Sequence, residues 1–278
     1  MTDITLITGC STGIGRALAM AMAVRGCDVL ATARRPDSLA ELAALGLRTA
    51  ILDVDDPVSV STLMGQLAEQ DLQVDMLINN AGYGAMGPLA EMPASELQRQ
   101  FQTNVFSLMA LTQAVIPGMA ARRRGRIVNL GSVSGVLTTP FAGAYCATKA
   151  AVHALSDALR LELAPFGIRV IVVQPGGIQS QFGATASAGV QARQGGLSLY
   201  APVADAIAAR ANASQQQATP VDRFAADMAD AILASDPPAF IPLGHGSTLL
   251  PALQRWLPVR WRDRLLSRRF QLGRLAMH

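Results

Sequence analysis

Lysine is almost missing from this chain of 278 residues: of its 23 basic side chains one, Lys149, is a lysine and the rest are arginine. Cysteine is also scarce. Cys10, Cys27 and Cys146 are unevenly spaced, with no CxxC pair and no neighbouring histidine, which argues against a disulfide framework or a thiolate zinc site and fits free thiols in a reducing compartment. Charged residues are only 15% of the chain and hydrophobic ones 50%, so general disorder is excluded and a well-buried globular protein is expected. No run of about 18 uninterrupted apolar residues occurs, so a membrane-spanning helix is not expected. The apolar stretch Ala17 to Val24 follows a glycine turn rather than a basic leader; secretion is not expected, and a cytoplasmic location is. The net charge of +3 is concentrated in Arg122-Arg123-Arg124-Gly125-Arg126 and between Arg255 and Arg274, a weak footprint for nucleic acid, and no such partner is expected. His153, His245 and His278 do not cluster with carboxylates, so no metal site is expected.

What is present is alternation. Short runs rich in β-branched residues predict strands at Ile4–Thr8, Asp28–Ala33, Arg48–Leu52, Met76–Asn79, Arg126–Leu130, Arg169–Val173 and Ala239–Pro242. Amphipathic stretches fill most of the gaps, which is the pattern of βα units feeding a parallel sheet. Helix starts are signalled at Asp55-Asp56-Pro57-Val58 and at Pro93-Ala94-Ser95-Glu96; a long helix is expected from Gly143 to Ala164, another at Val221–Leu233, and one or two arginine-rich helices over Leu249–Leu275. Residues 183–220 are rich in Ala, Gly, Gln and Ser with few large apolar anchors, and read as a mobile lid over a cleft or as a disordered loop. The chain is therefore expected to form one domain over 1–278, with a core at 1–182, the lid at 183–220, and the last strand and C-terminal helices at 221–278.

The first strand runs into Thr8-Gly9-Cys10-Ser11-Thr12-Gly13-Ile14-Gly15 and then into an apolar helix. Glycines there permit a tight turn and a close approach of backbone N–H groups, and the helix start favours a phosphate; Gly9, Ser11, Thr12, Gly13, Ile14 and Gly15 are candidate dinucleotide contacts. The second strand ends Ala31-Thr32-Ala33-Arg34-Arg35, with Ala33 where an acidic residue would accept the adenosine ribose hydroxyls. Arg34 and Arg35, helped by Arg16, can instead pair with a 2′-phosphate, which favours NADP over NAD; exposed helix-cap arginines are the alternative. Asp53 and Val54 follow the third strand, and Asp53 either meets the adenine amino group or caps a helix. Asn79-Asn80-Ala81-Gly82 closes the fourth strand, placing Asn80, Ala81 and Gly82 against a cofactor or at a stabilised sheet edge.

Together Thr8-Gly9-x-x-x-Gly13-x-Gly15, Asn79-Asn80-Ala81-Gly82, Asn104, Ser132, Tyr145-x-x-x-Lys149 and Pro175-Gly176 resemble the short-chain dehydrogenase/reductase family over residues 1–182. The wording around Tyr145 and Gly131-Ser132-Val133-Ser134-Gly135 is most similar to its hydroxysteroid and retinol dehydrogenase-like branch. The resemblance implies a Rossmann-like, doubly wound parallel sheet of about seven strands with helices on both faces, and a homodimer or homotetramer. It also implies NADP(H)-dependent interconversion of a secondary alcohol and a ketone on a fairly apolar small molecule. In that reading Tyr145 moves the proton, and Lys149 lowers the phenol pKa and holds the nicotinamide ribose. Ser132, with Ser134 as competitor, polarises the substrate oxygen, and Asn104 anchors a water linked to the lysine. Pro175, Gly176 and Ile178 present backbone to the carboxamide, and Ser180 replaces a frequent threonine.

Two further expectations carry alternatives. A cofactor-binding sensor or scaffold without turnover would predict loss of Tyr145 or Lys149, and both are present. Phe141, Phe182, Leu197 and Tyr200 either line an apolar cleft or seat the lid. In the C-terminal stretch, Trp256, Leu257, Trp261, Leu265 and Leu266 interleave with Arg255, Arg260, Arg262, Arg264, Arg268 and Arg269, a pattern for peripheral membrane contact or for packing on the domain or a second subunit. Cys146 and His153 are expected to be packing groups.

Overall fold

The seven β-branched runs become seven strands of one sheet in the computed structural model, which describes residues 1–277 and leaves His278 outside the described residues. In chain order the elements are β1 Thr2–Ile7, α1 Gly13–Val24, β2 Val29–Ala33, α2 Ala40–Ala44, β3 Arg48–Ile51, α3 Pro57–Glu69, β4 Leu72–Asn79, α4 Ala94–Phe101, α5 Ser107–Ala121, β5 Gly125–Leu130, α6 Gly143–Leu163, β6 Ile168–Pro175, α7 Phe182–Gln194, α8 Ala204–Asn212, α9 Val221–Leu233, β7 Phe240–Leu243, α10 Leu249–Trp256 and α11 Val259–Arg269. The strand order is β3-β2-β1-β4-β5-β6-β7 and every pairing is parallel. This is a Rossmann-like α/β sheet. The direction of the connections reverses between β1 and β4, which opens a crevice at the carboxyl ends of those strands.

Helices cover both faces, so central strands are apolar on both sides and β6 is a nearly continuous buried run. On one face Leu18 and Met22 of α1 meet Phe224, Met228 and Ile232 of α9; the other carries α3, α5 and α6 through Leu63, Leu111, Val115 and Leu159. Strand β4 begins four residues earlier than expected. Its pairing with β1 jumps from Ile4 opposite Val74 to Thr5 opposite Met76, leaving Asp75 as an extra residue that moves the following side chains to the other face. Alternation is lost at that bulge, which hid the first half of the strand.

Helix α3 starts as expected, with Pro57 at its first position and the Asp56 carboxylate accepting from Val58 N at 2.9 Å. Helices α4 and α5 are joined by a π turn at Gln102–Phe106 into a run, Ala94–Ala121, long and apolar enough to cross a membrane by length and composition. Its buried Gln100, Asn104, Ser107 and Thr112 all hydrogen-bond to other parts of the chain, which is the behaviour of a core helix.

Residues 183–220, expected to be poorly anchored, are mostly helical and build a third cluster of their own. Ala186 and Val190 of α7 and Ala206, Ile207 and Ala211 of α8 pack with Phe141, Tyr145 and Cys146. Small side chains here allow close approach, so the segment is seated without large anchors. Phe141 meets Tyr200 and Phe270 edge to face, each at 6.1 Å between ring centroids, so Phe141, Leu197 and Tyr200 seat this segment on the core, whereas Phe182 faces the cleft. The C-terminal stretch forms two helices. Leu250 and Leu266 turn toward the cleft, while Trp256, Trp261 and Leu265 are exposed.

Candidate active site

Loops at the carboxyl ends of β1 to β6 surround a cleft of about 920 Å³. Gly9, Ser11, Thr12, Gly13 and Ile14 line it from the turn between β1 and α1. Gly9 has φ +73°, a conformation that favours glycine, and a Cβ on Gly15 would collide with Asn80 Nδ2 and Gly9 O. Gly15 is not part of the lining, so its role is to let α1 approach the turn. The first turn of α1 holds no acidic residue and Thr12 makes no side-chain cap, so its N–H groups are presented to the cleft. These residues fit a dinucleotide pyrophosphate. The turn is braced from β4: Asn80 Nδ2 donates to Thr8 O at 2.8 Å and Gly9 O at 3.2 Å, and Asn80 N and Ala81 N both donate to Thr8 Oγ1 at 3.0 Å.

Beyond β2, Ala33 and exposed Arg34 line the cleft but Arg35 does not. Arg16 pairs with Glu41 and is engaged elsewhere. Of the cationic set expected from sequence, Arg34 is the member in the cleft lining. Asp53 and Val54 line the cleft; Asp53 Oδ1 accepts from Asp55 N at 3.1 Å, closing a turn, and the cap of α3 belongs to Asp56. Ala81, Gly82, Pro175, Gly176, Ile178 and Ser180 also line it. Ser180 N donates to Gln215 Oε1 at 3.0 Å, while Gln215 Nε2 donates to Ile178 O at 3.1 Å.

Ser132, Tyr145 and Lys149 meet on one wall of this cleft. Tyr145 and Lys149 are one turn apart on α6, on the same face. Lys149 is buried and its Nζ donates to Leu130 O at 2.6 Å, 5.9 Å from the Tyr145 ring centroid. Burial holds the ammonium down at about 8. Burial pushes the Tyr145 phenol up to about 12, with the Ser132 hydroxyl and Arg210 pulling the other way. Ser132 Oγ accepts from Ser134 N at 3.0 Å and its hydroxyl faces the Tyr145 phenol, while the Ser134 side chain lies against Cys146.

Asn104 does not line the cleft. Buried in the π turn, it accepts from Tyr83 N at 3.1 Å through Oδ1 and donates through Nδ2 to Tyr83 O at 2.9 Å and Thr148 Oγ1 at 3.1 Å. Gln100 repeats the clamp on Tyr83 O and Ala85 N, so two amides fix the loop after β4. The side chain of Asn104 is thus engaged in holding that loop and α6.

Three contributors were not picked out from the sequence. His153 Nε2 accepts from Ser132 N at 3.3 Å, and burial drives its pKa down to about 4. Its i+4 spacing from Lys149 was the available signal. Asp55 accepts from Thr103 Oγ1 and Ser107 Oγ, each at 2.7 Å, tying the β3 loop to the π turn. Arg210 of α8 lines the cleft and lies close enough to Tyr145 and Cys146 to act on both. Phe182 covers the Tyr145 ring at 5.2 Å between centroids.

A parallel sheet with a glycine turn at its switch point and a Ser, Tyr and Lys set beside it is the arrangement of a dinucleotide-binding fold. A family profile described as short chain dehydrogenase matches residues 3–191, and the chain belongs to that family. The uncharacterised oxidoreductase YbbO of Escherichia coli (strain K12) is 40% identical over 178 residues, 64% of this chain and 66% of that protein, just under two thirds of its length. The probable short-chain type dehydrogenase/reductase VdlC of Helicobacter pylori (strain J99) is 31% identical over 97% of this chain and 98% of its own. Among solved structures, the closed form of a serine dehydrogenase complexed with NADP+ superposes with a TM-score of 0.75 at 26% identity, covering 87% of this chain and 94% of that one.

Proposed function

We propose that this protein is an NADP(H)-dependent oxidoreductase that interconverts a secondary alcohol and a ketone. The observation that carries the reading is the convergence of Ser132, Tyr145 and Lys149 on one wall of the cleft that the β1 glycine turn also lines. Bound there, NADP(H) would give or take the hydride. The Ser132 hydroxyl orients the substrate oxygen, and Tyr145 gives it a proton in reduction or removes one in oxidation. A phenol held near 12 is protonated at neutral pH, the form that serves reduction. Lys149 holds nicotinamide ribose hydroxyls and supplies positive charge beside the phenol. Asn104 acts by fixing the Tyr83 loop and Thr148 behind this wall.

The NADP preference rests on Ala33 and Arg34 at the end of β2 and is supported by the NADP+ complex of the structural neighbour. The apolar character of the substrate rests on Leu137, Phe182, Leu266 and Phe270 in the cleft wall. A cytoplasmic location, in keeping with three free cysteines, and a homo-oligomer, in keeping with exposed Phe106, Leu161 and Phe166, belong to the same proposal. So does contact of the exposed Trp256 and Trp261 surface with a membrane. The test is a panel of ketones and alcohols, including steroids, retinoids and aliphatic carbonyls, followed by NADPH absorbance. A protein that binds NADPH yet turns over none of them in either direction is the sensor of the alternative reading.

A further inference from the structure

Arg210 is the one arginine among the described residues that is buried, at 9% exposure. It reaches the cleft from the lid helix α8, between Ala206 and Ala211, which pack into the third hydrophobic cluster. Its Nε donates to Thr139 Oγ1 at 2.8 Å, and no carboxylate among the described residues pairs with it. The groups that act on it are the Tyr145 phenol and the Cys146 thiol, both held in their neutral forms by burial. A guanidinium is charged at any working pH, and burying one without a counter-charge is costly unless a ligand supplies the partner. Its remaining N–H donors form a planar fork suited to two oxygens of one anionic group.

The cleft around it is mixed, with Thr139, Gln181, Thr185, Gln216, Arg269 and Gln271 beside apolar side chains. Leu137, Phe182, Ala206, Ala209, Leu266 and Phe270 line the cleft that also holds Ser132 and Tyr145. A neutral ketone would satisfy the apolar part and leave the buried Arg210 without a counter-charge. We propose that Arg210 receives an oxyanionic group of the substrate, a carboxylate or a sulfonate, so that the substrate is an oxo or hydroxy acid on an otherwise apolar skeleton. The inference rests on the oxidoreductase reading above for the reacting carbonyl, and on the placement of Arg210 for the anion.

The test compares oxoalkanoic acids with their methyl esters, using NADPH and the full-length protein. The wild type is expected to favour the acid in kcat/KM by about 30-fold or more, the worth of a hydrogen-bonded charge pair. Arg210→Gln should bring the acid-to-ester ratio close to one, and Arg210→Lys should restore part of it. A wild-type ratio near one, or an unchanged ratio in Arg210→Gln, overturns the proposal. A merely structural or phenol-stabilising arginine would lower both rates together and leave the ratio alone.

Calorimetry with octanoate, octanesulfonate and octanamide, with and without NADP+, supplies a readout that needs no turnover. Binding of either anion but not the amide, lost in Arg210→Gln, supports the anion site and shows which head group fits. Equal binding of amide and anions overturns it. If no carbonyl compound reacts but the anions bind through Arg210, the oxidoreductase reading fails and the anion site stands. If Arg210→Gln does not fold, the two wild-type comparisons decide.

Discussion

The backbone N–H of Ser132 donates to Nε2 of His153 at 3.3 Å. A backbone N–H can only donate, so that ring nitrogen must be unprotonated, and the contact fixes the histidine as neutral. The loop that carries Ser132 is thereby held from the same helix that carries Tyr145 and Lys149.

Acid should loosen that hold. His153 titrates at about 4 in the fold against 6.5 unfolded, so below 6.5 the unfolded chain takes up the proton first. The stabilisation is complete above 6.5 and is lost as the pH falls through 4, a loss on the order of 3 kcal/mol. Urea midpoints across that range should fall more steeply in the wild type than in His153→Gln. Parallel curves for the two proteins would refute the assignment.

Tyr145→Phe should lower turnover by at least about 100-fold while NADPH affinity stays near wild type, since only the proton donor is removed. Retained turnover would place the chemistry elsewhere. Lys149→Arg should cost both turnover and cofactor affinity, because a planar guanidinium does not reproduce the compact ammonium that donates to Leu130 O and faces the cleft. Stopped-flow binding alongside steady-state rates separates the two losses, and an affinity equal to wild type would count against a ribose role.

At the end of β2 the structure divides two adjacent arginines. Arg34→Ala should weaken NADPH by about 10-fold or more and leave NADH nearly unchanged, whereas Arg35→Ala should change neither much. Equal effects of the two substitutions on NADPH would show that the cleft lining misassigns the phosphate partner.

On the C-terminal surface, replacing exposed Trp256 and Trp261 together by serine should abolish co-sedimentation with anionic liposomes without changing the oligomeric state. Wild-type protein that stays in the supernatant would exclude the membrane role, and a changed sedimentation coefficient of the variant would assign the surface to subunit contact.

The sheet and the glycine turn were readable because each βα unit carries its signals locally: a β-branched run, a turn of small residues and an apolar helix. Asp75 shows where that stops, since one extra residue inverts the alternation that identifies a strand. Arg34 and Arg35 are neighbours in the sequence, yet of the two Arg34 is the one in the cleft lining, and Arg16 pairs with Glu41 at the surface. Asn104 was legible as a residue but not as a clamp, because its partner Tyr83 is 21 positions away. Arg210 looked like one more arginine in a chain full of them. Only its burial beside Tyr145 distinguishes it, and that burial is set by Ala206, Ile207 and Ala211 packing against residues some 60 positions earlier.

The amide of Gln215 grips Ser180 N and Ile178 O on one turn of backbone, and so makes the intervening segment a ring whose two ends are fastened together. Within that ring Phe182 of α7 covers the Tyr145 side chain, and Ala206, Ile207 and Ala211 of α8 pack in the cluster that holds it, so the closed segment and that tyrosine form one packed unit.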